Sequence, residues 1–374
     1  MEYKLSSEQK ILRESAHKFL AKECTSDFVR EMAVDQKGFS DALWDKMAEL
    51  GWMSLLIPEE YNGSGVNFVD LTVLLSEMGQ VCLPGPFFSS VVQGGLAVLG
   101  AGSEEQKKEI LSGLADGKRK LTLAWIEEEG QYTLESVKLT AEQRDDDFVL
   151  SGNKLFVQDA HVADTIICAA RTGDRPENVS LFLVDSKSAG MAIQLFETMA
   201  GDKQCEVSFN QVKVPKANLL GEVNQGGAVL EKVLLKSAVA KCAEMNGGAK
   251  KVLDMAVDYA KGRKQFGRPI GAFQAVQHHC ANMLTYADTI KYLMFQAAWK
   301  IDSGQPFEME ASICKAWGSD SYRKLVALGH QIIGGMSFME EYDLQLYFKQ
   351  AKTAEQIFGN ADFHREIVAR EMGM

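Results

Sequence analysis

Four stretches of this chain hold residue types and spacings that could do chemistry. Arg263-Lys264-Gln265-Phe266-Gly267 sets a guanidinium, whose forked donors match a pyrophosphate, beside an aromatic and a glycine. Gln331-Ile332-Ile333-Gly334-Gly335 puts a glycine pair after an amide, and a backbone without Cβ atoms can approach a ligand closely. Glu244 sits among Ala243, Met245 and Gly247, an apolar setting in which a carboxylate either moves a proton, touches a substrate or makes a structural hydrogen bond. The fourth stretch runs Gln356-Ile357-Phe358-Gly359-Asn360-Ala361-Asp362-Phe363-His364-Arg365 and has no acid before Asp362. Taken singly, each has an ordinary reading as well: a glycine pair near a helix end is usually a turn, and an arginine on a helix usually a solvated side chain. His278-His279 point about 100° apart on a helix and cannot chelate as an i,i+4 pair does, so no metal site is expected.

The elements that must position these residues come in three textures. Up to about residue 119 the period is helical. Ser6-Ser7-Glu8-Gln9 and Ser103-Glu104-Glu105-Gln106 read as capping boxes, Asp41 opens a helix that ends near Gly51, and residues 69–79 form another before the Leu83-Pro84-Gly85-Pro86 break. From Leu121 to about Gly221 come short β-rich runs, among them Phe148-Val149-Leu150, Thr165-Ile166-Ile167-Cys168 and residues 179–184. They lack regular alternation with helices, which points to a small antiparallel barrel or sandwich instead of a Rossmann sheet. After Gly226-Gly227 long helical stretches, 230–263 and 274–303, have few internal breakers, as in an antiparallel bundle.

Bulk properties narrow the function classes. With 374 residues and 46% apolar content the chain can bury large cores, and a net charge of −11, spread along the sequence, argues against general binding to nucleic acid or anionic membrane. The seven cysteines show no C-x-x-C pair or zinc spacing and read as reduced core thiols. No run reaches 18 apolar residues and Met1-Glu2-Tyr3-Lys4 leads straight into a helical pattern, so no membrane insertion and a cytoplasmic location are expected.

The first, second and fourth of these stretches together with Phe273-Gln274 resemble the acyl-CoA dehydrogenase family of flavoproteins, and the resemblance covers essentially the whole chain. Residues 207–215 and Asn218-Leu219-Leu220-Gly221 are similar to the strand and turn that leave the family's middle domain. The resemblance implies an α+β fold: an N-terminal helical domain over 1–119, a middle β-barrel over 120–225 and a C-terminal four-helix bundle over 226–374. It also implies FAD between barrel and bundle, with an acyl-CoA substrate on the opposite face of the flavin ring. Arg263, Gln265, Phe266, Gln274, Gln331, Gly334 and Gly335 match the segments that clamp the ADP half of FAD across a subunit interface in the family. Ala124-Trp125-Ile126-Glu127-Glu128 stands where the family shows A-x-T-E-P, and Lys154-Leu155-Phe156-Val157-Gln158-Asp159 resembles its K-x-W-I-T-N strand. Ile126, Phe156 and Gln158 are therefore expected at the flavin, with the threonine hydroxyl of that strand replaced by an amide; Phe156 as barrel core is the alternative.

In the family the loop aromatic is followed by glutamate, which takes the α-proton of the thioester, and then by glycine. Here Phe358 runs straight into Gly359. A second family position for the base matches Ser237, and Glu244, two helical turns further on, shares its face. Glu244 is thus the candidate catalytic residue. The resulting expectation is an FAD-dependent acyl-CoA dehydrogenase with a relocated base, acting on a bulky cyclic, aromatic-derived or steroid-derived acyl group. The alternatives are a catalytically incomplete subunit paired with a glutamate-bearing paralogue, and an acyl-CoA reductase. The resemblance further implies electron-transfer flavoprotein as a partner and a homodimer or tetramer, or a heteromer.

Overall fold

A computed structural model describes residues 4–374. The first elements are α1 (Ser7–Glu23), α2 (Ser26–Val34), α3 (Asp41–Glu49), α4 (Phe68–Gln80), α5 (Gly95–Ala101) and α6 (Glu104–Ala115). Both expected capping boxes form, at Ser6 and at Ser103, where serine and glutamine satisfy each other's backbone N–H. Helix α4 is capped from afar: the Asp302 carboxylate accepts from the N–H groups of Phe68 and Val69 at 2.6 and 3.0 Å. One element was not legible. Phe88–Gly94 winds into a buried π-helical segment that runs into α5; its polar Ser89, Ser90 and Gln93 are buried along with Phe88, Val91 and Val92, so no apolar face repeats at a helical period.

The strands follow: β1 (Leu121–Ala124), β2 (Thr140–Arg144), β3 (Asp147–Gln158), β4 (Thr165–Arg171), β5 (Val179–Asp185), β6 (Met191–Leu195), β7 (Gln204–Pro215) and β8 (Leu219–Leu220). They form one eight-stranded sheet in the order β6-β7-β3-β2-β4-β5-β8, with β1 paired to β4. Its pairings are antiparallel apart from β1 with β4 and the single contact of β2 with β4. Alternate side chains of these strands, Phe148, Leu150, Val157, Cys168, Phe182 and Val207 among them, make the core, where Phe148 and Phe182 meet with centroids 4.9 Å apart.

The remainder is α7 (Gly226–Gly262), a two-strand ribbon β9 (Lys264–Gln265) and β10 (Arg268–Pro269), then α8 (Gln274–Asp302), α9 (Glu308–Ile333), α10 (Leu344–Gln356) and α11 (Ala361–Glu371). The chain divides into two compact units, one of residues 1–31, 68–83 and 238–374, the other of 32–67 and 84–237. In the first, α9 packs against α8, α10 and α11, and α4 against α1 and α8. Glycines allow the closest helix approaches there. A Cβ on Gly79 of α4 would lie 2.1 Å from the carbonyl oxygen of Glu244, and one on Gly247 would lie 1.8 Å from that of Ser76. All seven cysteines are free thiols, six buried and Cys280 half-buried. Among the described residues no helix is long and apolar enough to cross a membrane.

Candidate active site

In the second unit, three candidates from the sequence are brought together. The N–H of Leu155 donates to the carbonyl of Ile126 at 2.9 Å, which ties the segment after β1 to the end of β3, where Phe156 and Gln158 lie. An ion pair braces that junction from inside. Lys154, fully buried, donates to Glu127 at 2.6 Å, and the same carboxylate accepts from the N–H groups of Lys138 and Leu139. Between Lys154 and Val157 the pairing of β3 with β7 is irregular, and Phe156 takes a left-handed φ of 54°. The irregularity turns Phe156 out of the core. Its ring is 51% exposed and touches Phe196 with centroids 5.7 Å apart, while Val157 is buried. The alternative of a core Phe156 therefore does not hold. Gln158 is half-buried, its side-chain oxygen accepts from Gln93 at 2.8 Å, and its backbone oxygen accepts from the Thr122 hydroxyl.

In the first unit the candidates fall into local groups. Arg263 ends α7 with an exposed side chain, and the ribbon that follows pairs Gln265 with Arg268 across a two-residue turn, Phe266-Gly267. Both turn residues have positive φ, 55° and 79°, as a two-residue type I′ hairpin requires. Asparagine and glycine fill such turns readily. Phenylalanine does not, yet Phe266 stands 91% exposed, edge-on to Phe273 at 6.0 Å. Gln274 opens α8 and is exposed.

At the far end of α9, Gln331 is exposed and Gly334 adopts φ 74°, ψ −149°, a conformation essentially reserved for glycine. Nothing lies within 4 Å of a Cβ built on Gly334 or Gly335, so the backbone there is open. Ser337 donates to the Gly334 carbonyl at 2.7 Å and His330 Nδ1 lies 2.8 Å from the same hydroxyl. The hydroxyl proton is already committed, so Nδ1–H is the donor; burial also holds His330 below its usual range, in its neutral form. His330 is a brace for this turn. Among the described residues no group of three or more His, Cys, Asp or Glu is placed to hold a metal ion.

The remaining candidate, Glu244, lines a small recess of about 30 Å³, partly open to solvent, whose wall also includes Lys241, Cys82, Tyr322 and Gln350. Its carboxylate accepts from Lys241, three residues earlier on α7. Burial pushes the Cys82 thiol and the Tyr322 hydroxyl well up, so both stay neutral beside the pair. Ser237, on the same helix, is fully buried and its hydroxyl has no hydrogen-bond partner.

The turn between α10 and α11 carries no carboxyl group. Phe358, left-handed at φ 63°, is 5% exposed, and Gly359 follows at φ 96°. Two buried nitrogen donors, Lys315 and a neutral His364, hold the turn by its carbonyls. Lys315 Nζ donates to Gly359 at 2.7 Å, to Glu355 at 3.2 Å and to the Ser319 hydroxyl at 3.1 Å. His364 Nε2 donates to the Phe358 carbonyl at 2.8 Å, which leaves Nδ1 to accept from Ser312 at 3.2 Å. Burial lowers Lys315 to about 8, and burial together with the Lys315 charge lowers His364 to about 3. Asn360 then caps α11 by accepting from the Phe363 N–H, and Asp362 turns outward to Arg365.

Lys315, Gln93 and Lys241 were missed from the sequence, and His364 was seen there only as part of the C-terminal stretch. The signal for Lys315 is a lysine inside Cys314-Lys315-Ala316-Trp317, and for Gln93 an amide closing Val91-Val92-Gln93-Gly94. Both are polar groups in apolar runs, which have to be satisfied or used.

The first unit carries an exposed guanidinium and an open glycine backbone, and the second an outward aromatic ring beside an amide; taken unit by unit, these residue types fit the pyrophosphate and the flat ring of FAD. Residues 6–118, 122–212 and 224–373 match the models of the acyl-CoA dehydrogenase N-terminal, middle and C-terminal domains. The chain belongs to the acyl-CoA dehydrogenase family, FAD-dependent oxidoreductases that act on CH–CH bonds. It is 31% identical over the full length of both chains to the probable acyl-CoA dehydrogenase YngJ of Bacillus subtilis. It is also 31% identical to the caffeyl-CoA reductase-Etf complex subunit CarC of Acetobacterium woodii, covering 97% of this chain and 98% of that one. The fold is shared with butyryl-CoA dehydrogenase from Megasphaera elsdenii, at a TM-score of 0.94, 24% identity and full coverage of both chains.

Proposed function

We propose that this chain oxidises or reduces the Cα–Cβ bond of an acyl-CoA thioester, with Glu244 handling the α-proton that the C-terminal turn cannot. The observation that supports this reading is the placement of Glu244: a carboxylate facing a recess, while the turn at Phe358-Gly359 offers only a buried ring and two occupied carbonyls. Arg263, Gln274, Gln331, Gly334 and Gly335 would hold the ADP half of FAD, and Ile126, Phe156 and Gln158 its ring. FAD held there would supply the hydride chemistry at the substrate β-carbon. The chain's own part is the proton: Lys241 holds one oxygen of Glu244, and the other is left for the substrate. The expectation of a bulky acyl group finds no support at the turn, because Phe358 fills it and Lys315 and His364 close it.

Anaerobic bleaching of the flavin by a panel of acyl-CoA thioesters tests the reading. Glu244→Gln should slow bleaching by about 10²–10⁴-fold, the usual weight of a general base. A full rate in that variant would remove Glu244 from the chemistry.

A second reading has its own observation. Phe266, Phe338, Met336 and Met339 are 91%, 71%, 52% and 58% exposed, apolar side chains of the kind that a partner subunit covers. In this reading a glutamate-bearing paralogue supplies the base, and bleaching appears only when that second chain is present. Electron-transfer flavoprotein is the proposed electron partner, in line with the complex named for the Acetobacterium relative.

A further inference from the structure

The π-helical segment Phe88–Gly94 is buried throughout and fastened to the strands beside it. Ser90 accepts from the N–H of Leu121 at 3.0 Å and donates to its carbonyl at 3.1 Å; Ser89 donates to Asp159 at 2.7 Å. A Cβ on Gly94 would lie 2.3 Å from that of Leu121, so the segment cannot slide. Such wide helical turns are rare and gather at functional sites.

From this fastened segment Gln93, 3% exposed, reaches Gln158. Its Nε2 donates to Gln158 Oε1 at 2.8 Å, while its own Oε1 is buried with no hydrogen-bond partner. An orphaned buried acceptor lowers stability, and a methionine of similar shape would not carry that cost. The Gln158 oxygen is therefore committed to Gln93, and its NH₂ end is directed away. Val157 is in the core and Phe156 is outward, so Gln158 shares the outward face with Phe156.

We infer that Gln93 is a positioning residue, which fixes the amide of Gln158 with its NH₂ toward the cofactor face. This rests on reading Gln158 as a cofactor contact. The folded protein tolerates the orphaned oxygen of Gln93 in exchange for a donor of set direction at a position where the family's strand carries a hydroxyl.

The test uses the full chain in its native assembly, freed of flavin and titrated with FAD. Gln93→Met should raise the FAD dissociation constant about tenfold, the weight of one hydrogen bond, and shift the visible flavin bands. Its melting temperature without FAD should equal or exceed that of the unaltered protein, which a purely structural role would not produce. Gln158→Ala should weaken FAD similarly, and Gln93→Met added to it should cost nothing more. If Gln158→Ala binds FAD as before, Gln158 is not a contact and the inference falls with that reading. If Gln158→Ala weakens binding but Gln93→Met changes neither affinity nor spectrum, the inference alone is overturned. A lower melting temperature in Gln93→Met with unchanged affinity overturns it as well.

Discussion

The ammonium of Lys315 donates to the carbonyl oxygen of Gly359 across 2.7 Å, so a lysine in the N-terminal third of α9 fixes the turn between α10 and α11. Lys315→Met removes the donor and leaves buried carbonyls of Gly359 and Glu355 unsatisfied. A loss of about 2–4 kcal/mol is expected from orphaned groups of this kind, measured by urea unfolding. The pH dependence has a definite sign. With Lys315 lowered to about 8 in the folded protein, the unfolded chain binds more protons from there up to the usual lysine range near 10.5. The contribution of Lys315 should therefore improve with rising pH across that window, by up to about 1.4 kcal/mol per pH unit, and the slope should be absent from Lys315→Met.

His364 has the same sign of pH dependence in a lower window. Its folded value is lowered to about 3 from 6.5, so its contribution is complete above pH 6.5 and is lost as pH falls through that window toward 3. His364→Gln retains an N–H donor for the Phe358 carbonyl and cannot titrate. Acid unfolding of that variant should begin at lower pH than in the unaltered protein; an unchanged acid profile would show that another group governs it.

Gly79→Ala should act on Glu244 without touching its side chain. The added Cβ would lie 2.1 Å from the Glu244 carbonyl, so α4 and α7 must separate. A destabilisation of about 1–3 kcal/mol is expected for such overpacking, together with slower flavin bleaching as the recess around Glu244 changes shape. Thermal melting and anaerobic bleaching measure the two effects independently.

Phe266 should show stability and cofactor binding pulling apart. Asparagine suits the positive φ of 55° better than phenylalanine does, and the ring is 91% exposed, so Phe266→Asn should raise stability by about 0.5–1 kcal/mol. The same change should weaken FAD retention or subunit association, read by flavin fluorescence and by sedimentation. A more stable protein with undiminished retention and association would mean that Phe266 serves neither.

How much of this could be read in advance follows from the range of the forces involved. Capping boxes, helix faces and strand alternation depend on neighbours a few residues away, and so α1, α3, α4, α6 and the long helices α7 and α8 were legible from Ser6, Ser103, Asp41 and the apolar period. The residue types of the cofactor segments and the absence of an acid at Phe358-Gly359 were also plain, and these alone determined the family. Tertiary structure decided everything that depends on partners distant in sequence. Lys315 reaches Gly359 over 44 positions, Gln93 reaches Gln158 over 65, and Lys154 finds Glu127 over 27. It also decided which way Phe156 faces, because an irregular pairing with β7 turns the ring outward where simple alternation could not locate it. A buried polar group must find its partner wherever the fold brings one, and no local pattern records that distance.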